Sequence, residues 1–335
     1  MISPMIGIGT IRFLLALAVL LLHADFVTFE VAQIAVLTFF FISGFLMEGA
    51  YRRYSSPGRF LINRALRLMP SLILVIFSTW MILVLSTEEF RRSFGFIYLR
   101  SATTYGRENP PPLSALASIE WDGAIPYLGF DSELVPQAWS VGNEMLYYVT
   151  IPFLAMMSRR WIASIAIASL TLLLVLLRSD YADFDYAVYT NLFATYIFFI
   201  MGYRLSKTWK IKIGGYARNG VRYLACGFIV ATYFFDFPDT LSPLLVLSSA
   251  AFLISLITVG FLTSSQRVSD EGAPSKFLGK LSYPLYISHM MAIGLLNTWS
   301  ILSIPTLIVF ATMMATALYL VVDGPLEKVR SMVRD

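Results

Sequence analysis

Residues 6–24 read IGIGTIRFLLALAVLLLHA, an apolar run interrupted by one guanidinium, Arg12, and closed by one imidazole, His23. As a helix this run would be about 28 Å long at 1.5 Å per residue, close to the ~30 Å hydrocarbon thickness of a bilayer. Neither a basic segment before it nor a small-residue cleavage site around His23-Ala24-Asp25-Phe26 marks it as a removable signal, so it is expected to stay as a helix.

The pattern repeats along the chain. Apolar stretches of membrane-spanning length are predicted at 6–24, 31–49, 66–86, 137–157, 161–177, 187–206, 220–235, 240–262, 280–300 and 304–322. The 335 residues are 57% hydrophobic and only 14% charged, and the mean hydropathy is +0.70. A water-soluble fold has too little interior to hide that much apolar surface. The expectation is an all-α, polytopic transmembrane bundle of about ten helices, forming a single membrane domain over 1–335. The single cysteine, Cys226, lies in an apolar stretch and leaves no room for a disulfide framework or a thiolate metal site. No metal is expected.

Basic residues set the predicted orientation. With both termini in the cytosol, the segments Arg52 to Arg67, Arg159–Arg160, Arg204 to Arg222, Arg267 to Lys280 and Lys328 to Arg334 place 19 of the 25 Lys and Arg inside. Only Arg91, Arg92, Arg100, Arg107 and Arg178 fall outside, with the acidic connectors Asp180 to Asp185 and Asp236 to Asp239. That asymmetry follows the positive-inside rule. It also accounts for the net charge of +4 without a nucleic-acid partner. Residues 87–136, with Pro110-Pro111-Pro112, form a long extracytoplasmic loop, read either as an irregular insertion or as a partly ordered cap.

Several residues are costly inside a membrane. Arg12 either snorkels to the inner interface or faces a polar cavity. His23 follows eleven residues later, and eleven steps of 100° return to within about 20° of the same direction, so both share a face separated by roughly 16 Å of rise. The other histidine, His289, shares a helical face with Ser282 and Tyr286; Tyr283 and Tyr286 read equally well as interfacial anchors. Phe39-Phe40-Phe41-Ile42-Ser43-Gly44-Phe45 places a small pair, Ser43 and Gly44, where helices could approach closely. Trp139-Ser140-Val141-Gly142-Asn143-Glu144 brings a carboxylate about one turn into a span, where it needs an Arg, His or hydroxyl partner. Arg64 and Arg67 share a face before Pro70 and read either as topological determinants or as a phosphate clamp, because guanidinium forks match phosphate oxygens.

Taken in order, Arg12 with His23, Phe40 to Phe45, Arg64 with Arg67, Trp139-Ser140 with Glu144, and Leu278-Gly279-Lys280-Leu281-Ser282-Tyr283-Pro284-Leu285-Tyr286-Ile287-Ser288-His289 give the chain its resemblance to the acyltransferase family 3 membrane O-acyltransferases. These decorate bacterial surface polysaccharides and other glycans. The stretch Asp323-Gly324-Pro325-Leu326-Glu327 is similar to the family's closing segment, with Asp where the family more often has Glu. Val141 likewise stands where a Leu is usual.

The resemblance implies an enzyme of the bacterial cytoplasmic (inner) membrane that moves an acyl group, most often acetyl, from cytosolic acyl-CoA to a hydroxyl of a polysaccharide or lipid-linked glycan. Acyl-CoA would be a substrate, with no cofactor permanently bound, and membrane lipids would surround the bundle. On this reading His23 is the general base and Glu144 orients or stabilises it. Arg12, Arg64 and Arg67 hold the donor, and Ser43, Trp139, Ser140, Ser282, Tyr286 and His289 support the site. The hydroxyl could attack the thioester directly, or the acyl group could pass through a protein-bound intermediate. The rival reading from another class is a lipid or glycan transporter whose translocation path these polar residues line.

Overall fold

The described part of each of the ten predicted stretches falls on a helix in the computed structural model, which describes residues 7–98, 119–121, 130–132, 134–176, 191–208, 215–234, 242–262 and 271–334. The helices are α1 (Ile8–His23), α2 (Phe29–Tyr51), α3 (Pro57–Leu85), α4 (Glu88–Tyr98), α5 (Ala138–Met156), α6 (Arg159–Leu176), α7 (Leu192–Thr208) and α8 (Gly215–Thr232). They continue with α9 (Ser242–Ile257), which runs into a π turn (Thr258–Leu262), and α10 (Ala273–Thr298). Next comes α11 (Ile304–Leu318), which passes through a second π turn (Tyr319–Asp323) into α12 (Gly324–Arg334). Within the predicted loop 87–136 lie α4 and a small antiparallel pair, β1 (Ile119–Trp121) and β2 (Phe130–Ser132). Arg100, Arg107, Arg178, Lys210, Lys212, Arg267, the three prolines at 110–112 and the acidic connectors 180–185 and 236–239 lie outside the described residues.

Two helices begin earlier than hydropathy predicts. α3 starts at Pro57 rather than 66, because Ser56 accepts a hydrogen bond from the Arg59 amide at 3.3 Å and Pro57 tolerates the first helical position. Its first turns are polar, so a hydropathy window passes over them. The same holds for α10, which starts at Ala273 rather than 280. At the far end of α3, Arg91 donates to the carbonyls of Ser86 (2.5 Å) and Leu83 (3.5 Å), which gives this arginine a capping role.

By length and composition, Glu30–Tyr51, Pro57–Leu85, Arg159–Leu176 and Ile304–Arg334 could each cross a membrane, and Ile8–His23, Leu192–Ser206 and Val246–Gly260 are shorter apolar helices. Their surroundings differ. The α2 window is mostly buried, whereas α6 and the α11–α12 helix turn Trp161, Ile167, Leu174, Val309, Met313 and Val321 outward. A broad exposed apolar surface of that kind is stable against hydrocarbon and not against water. The chain is a multi-pass membrane protein.

The described helices cluster into two units. The first comprises residues 1–54 and 147–282, with α2 packed on α1, α7 and α9, and α7 packed in turn on α6. Here α2 and α7 cross at contact distance. A Cβ built on Gly44 would lie 2.0 Å from the Phe199 carbonyl oxygen, and one on Gly202 would lie 2.0 Å from that of Phe41. Only glycine fits at either position, which explains the small residue after Ser43. Gly44→Ala is therefore expected to separate the helices at a cost of about 1–3 kcal/mol or more, read as a lower unfolding temperature in detergent. Gly49→Ala on the same helix, where an added Cβ meets nothing within 4 Å, is the control and leaves the melt unchanged or slightly raised.

The second unit comprises residues 55–146 and 283–335. In it, α3 packs against the second π turn and α12, and Gly294 lets α10 meet the ring of Phe94 on α4.

Candidate active site

In the first unit, α1 carries both Arg12 and His23, each half-buried. Its two ends are fixed by different devices. At the start, Gly7 offers no side-chain cap, and the orphan amides are taken by residues far along the chain. The Ile8 and Gly9 amides donate to the Glu271 carboxylate (2.7 and 3.3 Å) and the Thr10 amide to Ser275 Oγ (3.1 Å), while Ser275 donates to Glu271 (3.1 Å). A carboxylate at this end also meets the positive end of the helix dipole. The backbones are close here too, since a Cβ on Gly9 would lie 2.0 Å from the Ser275 carbonyl oxygen and one on Gly279 would lie 2.8 Å from Gly9 Cα. That gives Gly279 of the Leu278 to His289 motif a packing role.

At its other end α1 closes in a Schellman motif directly after His23. The Phe26 amide reaches back to the Leu21 carbonyl (2.9 Å) and the Asp25 amide to that of Leu22 (2.8 Å), with Asp25 in the left-handed region at φ 60°. Aspartate tolerates that conformation better than most residues. His23 thereby occupies the last helical turn, with the Asp25 carboxylate close enough to act on it electrostatically.

Ser43 is buried on α2 beside the α2–α7 crossing. Ser282 is buried as well, and its hydroxyl is spent within α10 on the Gly279 carbonyl at 2.9 Å.

The second unit brings together two clusters. In one, Ser140 Oγ lies 3.1 Å from the Gln137 carbonyl and 2.7 Å from the Tyr286 hydroxyl. A carbonyl only accepts, so Ser140 gives its proton to Gln137 and receives that of Tyr286. Gln137, almost fully buried, donates its side-chain amide to the Ile287 carbonyl at 2.8 Å. Fully buried His289 donates from Nδ1 to the Tyr286 carbonyl at 2.5 Å, so in the neutral ring Nε2 carries the lone pair. Glu144 lies within electrostatic reach of the Tyr286 hydroxyl, and Trp139 and Asn143 are buried on the same helix turn. Ser140 and Tyr286 are thus paired, His289 is bound to the Tyr286 backbone, and half-buried Glu144 stands within electrostatic reach of them. Gln137, which ties α5 to α10, carries no sequence signal beyond its place before Trp139.

In the other cluster, Asn63 is buried on α3. It accepts from Arg64 Nη2 (2.7 Å) and donates to the Arg330 carbonyl (2.7 Å). Two turns on, fully buried Ser71 donates to Asp323 Oδ1 at 2.7 Å, and Arg67 and Arg330 both act on the Asp323 carboxylate. Arg64 and Arg67 are half-buried. Of the predicted residues, His23 and Arg12 belong to the first unit and Glu144, Arg64 and Arg67 to the second. Asp25, Glu271, Asn63 and Asp323 join them as residues that sequence reasoning did not assign.

Apolar helices carrying buried, hydrogen-bonded serine, tyrosine, histidine and carboxylate groups define a membrane protein with polar chemistry in its interior. A family model described as an acyltransferase domain matches residues 5–323, and no curated protein or solved structure matches the chain. The chain belongs to acyltransferase family 3 and is an acyltransferase. The transporter reading gives way to an enzyme.

Proposed function

We propose that this acyltransferase moves an acyl group, most simply acetyl, from cytosolic acyl-CoA to a hydroxyl of a surface polysaccharide or lipid-linked glycan, in the bacterial cytoplasmic membrane. The bundle then spans the bilayer about ten times with both termini in the cytosol, as the basic-residue asymmetry favours. The observation that carries the reading is α1 itself, a continuous helix whose geometry puts Arg12 and His23 on one face about 16 Å apart, with His23 in a capped last turn.

On this reading the donor enters from the cytosol. Arg64 and Arg67 hold its phosphates as bidentate forks, and Arg12 reaches toward the pantetheine arm or thioester. His23 accepts the acceptor's hydroxyl proton as the oxygen attacks the thioester carbonyl carbon. The C–S bond breaks, and the departing CoA thiolate takes up the proton from the imidazolium. Transfer is direct, since no activated serine or cysteine nucleophile is evident among the described residues. Asp25, in the same unit, closes the helix turn that carries His23. Ser140, Tyr286 and His289, with Glu144 nearby, support the acceptor side of the site from α5 and α10, and the Tyr286 proton is already committed to Ser140.

The test compares surface glycans from cells with and without the chain. Ester-linked acyl groups are released by mild base and identified by mass spectrometry. Loss of one acyl type on deletion and its return on complementation are expected. Identical acyl content in both strains overturns the assignment.

A further inference from the structure

We propose that Arg330, on the terminal helix α12, is a third phosphate ligand of the donor site, completing with Arg64 and Arg67 a guanidinium cluster that takes the phosphates of acyl-CoA. The inference rests on the reading that Arg64 and Arg67 meet the donor, and adds a residue that lies 263 positions further along the chain than Arg67.

The structure joins these residues through a single buried amide. Asn63, 3% exposed, holds Arg64 through its oxygen and the Arg330 backbone through its nitrogen, both at 2.7 Å. The register of α12 on α3 is therefore tied to the seat of Arg64. A second tie, Ser71 to Asp323 at 2.7 Å, fixes the turn from which α12 departs. Arg67 and Arg330 both lie within electrostatic reach of that same carboxylate, as does Glu327. Arg67 and Arg330 thus flank one buried carboxyl group, and Arg64 is held beside them by Asn63. All three arginines are half-buried.

A CoA donor carries a diphosphate and a ribose phosphate, more anionic oxygens than two guanidinium forks can engage. A third fork on the same cluster supplies what is missing. If Arg330 served only to neutralise Asp323, its loss would affect every donor alike. As a phosphate ligand it should distinguish donors by whether they carry phosphate.

The experiment measures kcat/KM with acyl-CoA and with acyl-pantetheine, which has the same thioester and no phosphates, for wild type and Arg330→Gln in detergent-purified protein. The expected result is that the ratio of the two values, acyl-CoA over acyl-pantetheine, falls about tenfold or more, as loss of a charge-assisted hydrogen bond implies. An unchanged ratio overturns the proposal, including the case where both donors weaken together. If Arg330→Gln alone does not fold, Arg330→Gln with Asp323→Asn removes both partner charges, and the same ratio is read with Asp323→Asn as its reference. Failure of the underlying reading looks different: wild type would then use both donors with equal kcat/KM, and Arg64→Gln would leave the ratio unmoved.

Discussion

His23→Ala is expected to lower acyl transfer by about 10²- to 10⁴-fold, the range that removal of a general base commonly costs. The helix should survive the change. His23 is half-buried in the last turn of α1, and the hydrogen bonds that end the helix run between backbone groups of Leu21, Leu22, Asp25 and Phe26. Alanine is also the best helix former, so the substitution should leave expression and the melting temperature close to wild type. The loss should fall on kcat, because donor contacts made by the arginines are untouched. Transfer at the wild-type rate in a normally folded His23→Ala protein would remove the imidazole from the mechanism.

The second large effect belongs to the donor. Arg64→Ala combined with Arg67→Ala is expected to raise the KM for acyl-CoA by about 100-fold or more, taking each charge-assisted contact as about 1.5–3 kcal/mol and 1.4 kcal/mol as tenfold. The two changes differ in structural cost. Arg64 is held by Asn63, whose other end ties α3 to α12, so Asn63 keeps its bond to Arg330 when Arg64 is shortened. Arg67 acts on the Asp323 carboxylate, and its loss leaves that acid with Ser71 and Arg330. Titration of donor binding to membranes containing each single variant and the double variant checks the prediction. Undiminished affinity in the double variant retires the clamp.

Much of this architecture was legible in the sequence because hydrophobic thickness leaves a one-dimensional trace. A run such as 6–24 announces its helix without knowledge of any neighbour, and Arg12 and His23 share a face by helical geometry alone. The polar beginnings of α3 and α10 were not legible to hydropathy, although Ser56-Pro57 is a start signal that capping chemistry can read. Contacts between distant segments left no trace at all. Glu271 caps α1 across 263 residues and Asp323 meets Ser71 across 252, and neither carboxylate announces a partner at that separation. Asp25 stood in view beside His23, but its role depends on a left-handed turn that composition does not display. The helical stripe Ser282, Tyr286, His289 was legible as a periodicity. Its members nevertheless differ in use: Ser282 is satisfied inside its own helix, whereas Tyr286 pairs with Ser140 and His289 binds the Tyr286 backbone.

The central claim is that one chain passes an acyl group from a donor on one side of a bilayer to an acceptor on the other. Purified protein in sealed proteoliposomes tests it, with labelled acyl-CoA enclosed and a hydroxyl-bearing glycan outside, for wild type and His23→Ala. The account predicts labelled ester on the external glycan with wild type only, in vesicles that retain their CoA. Absence of label with wild type, or equal labelling with His23→Ala, would contradict it.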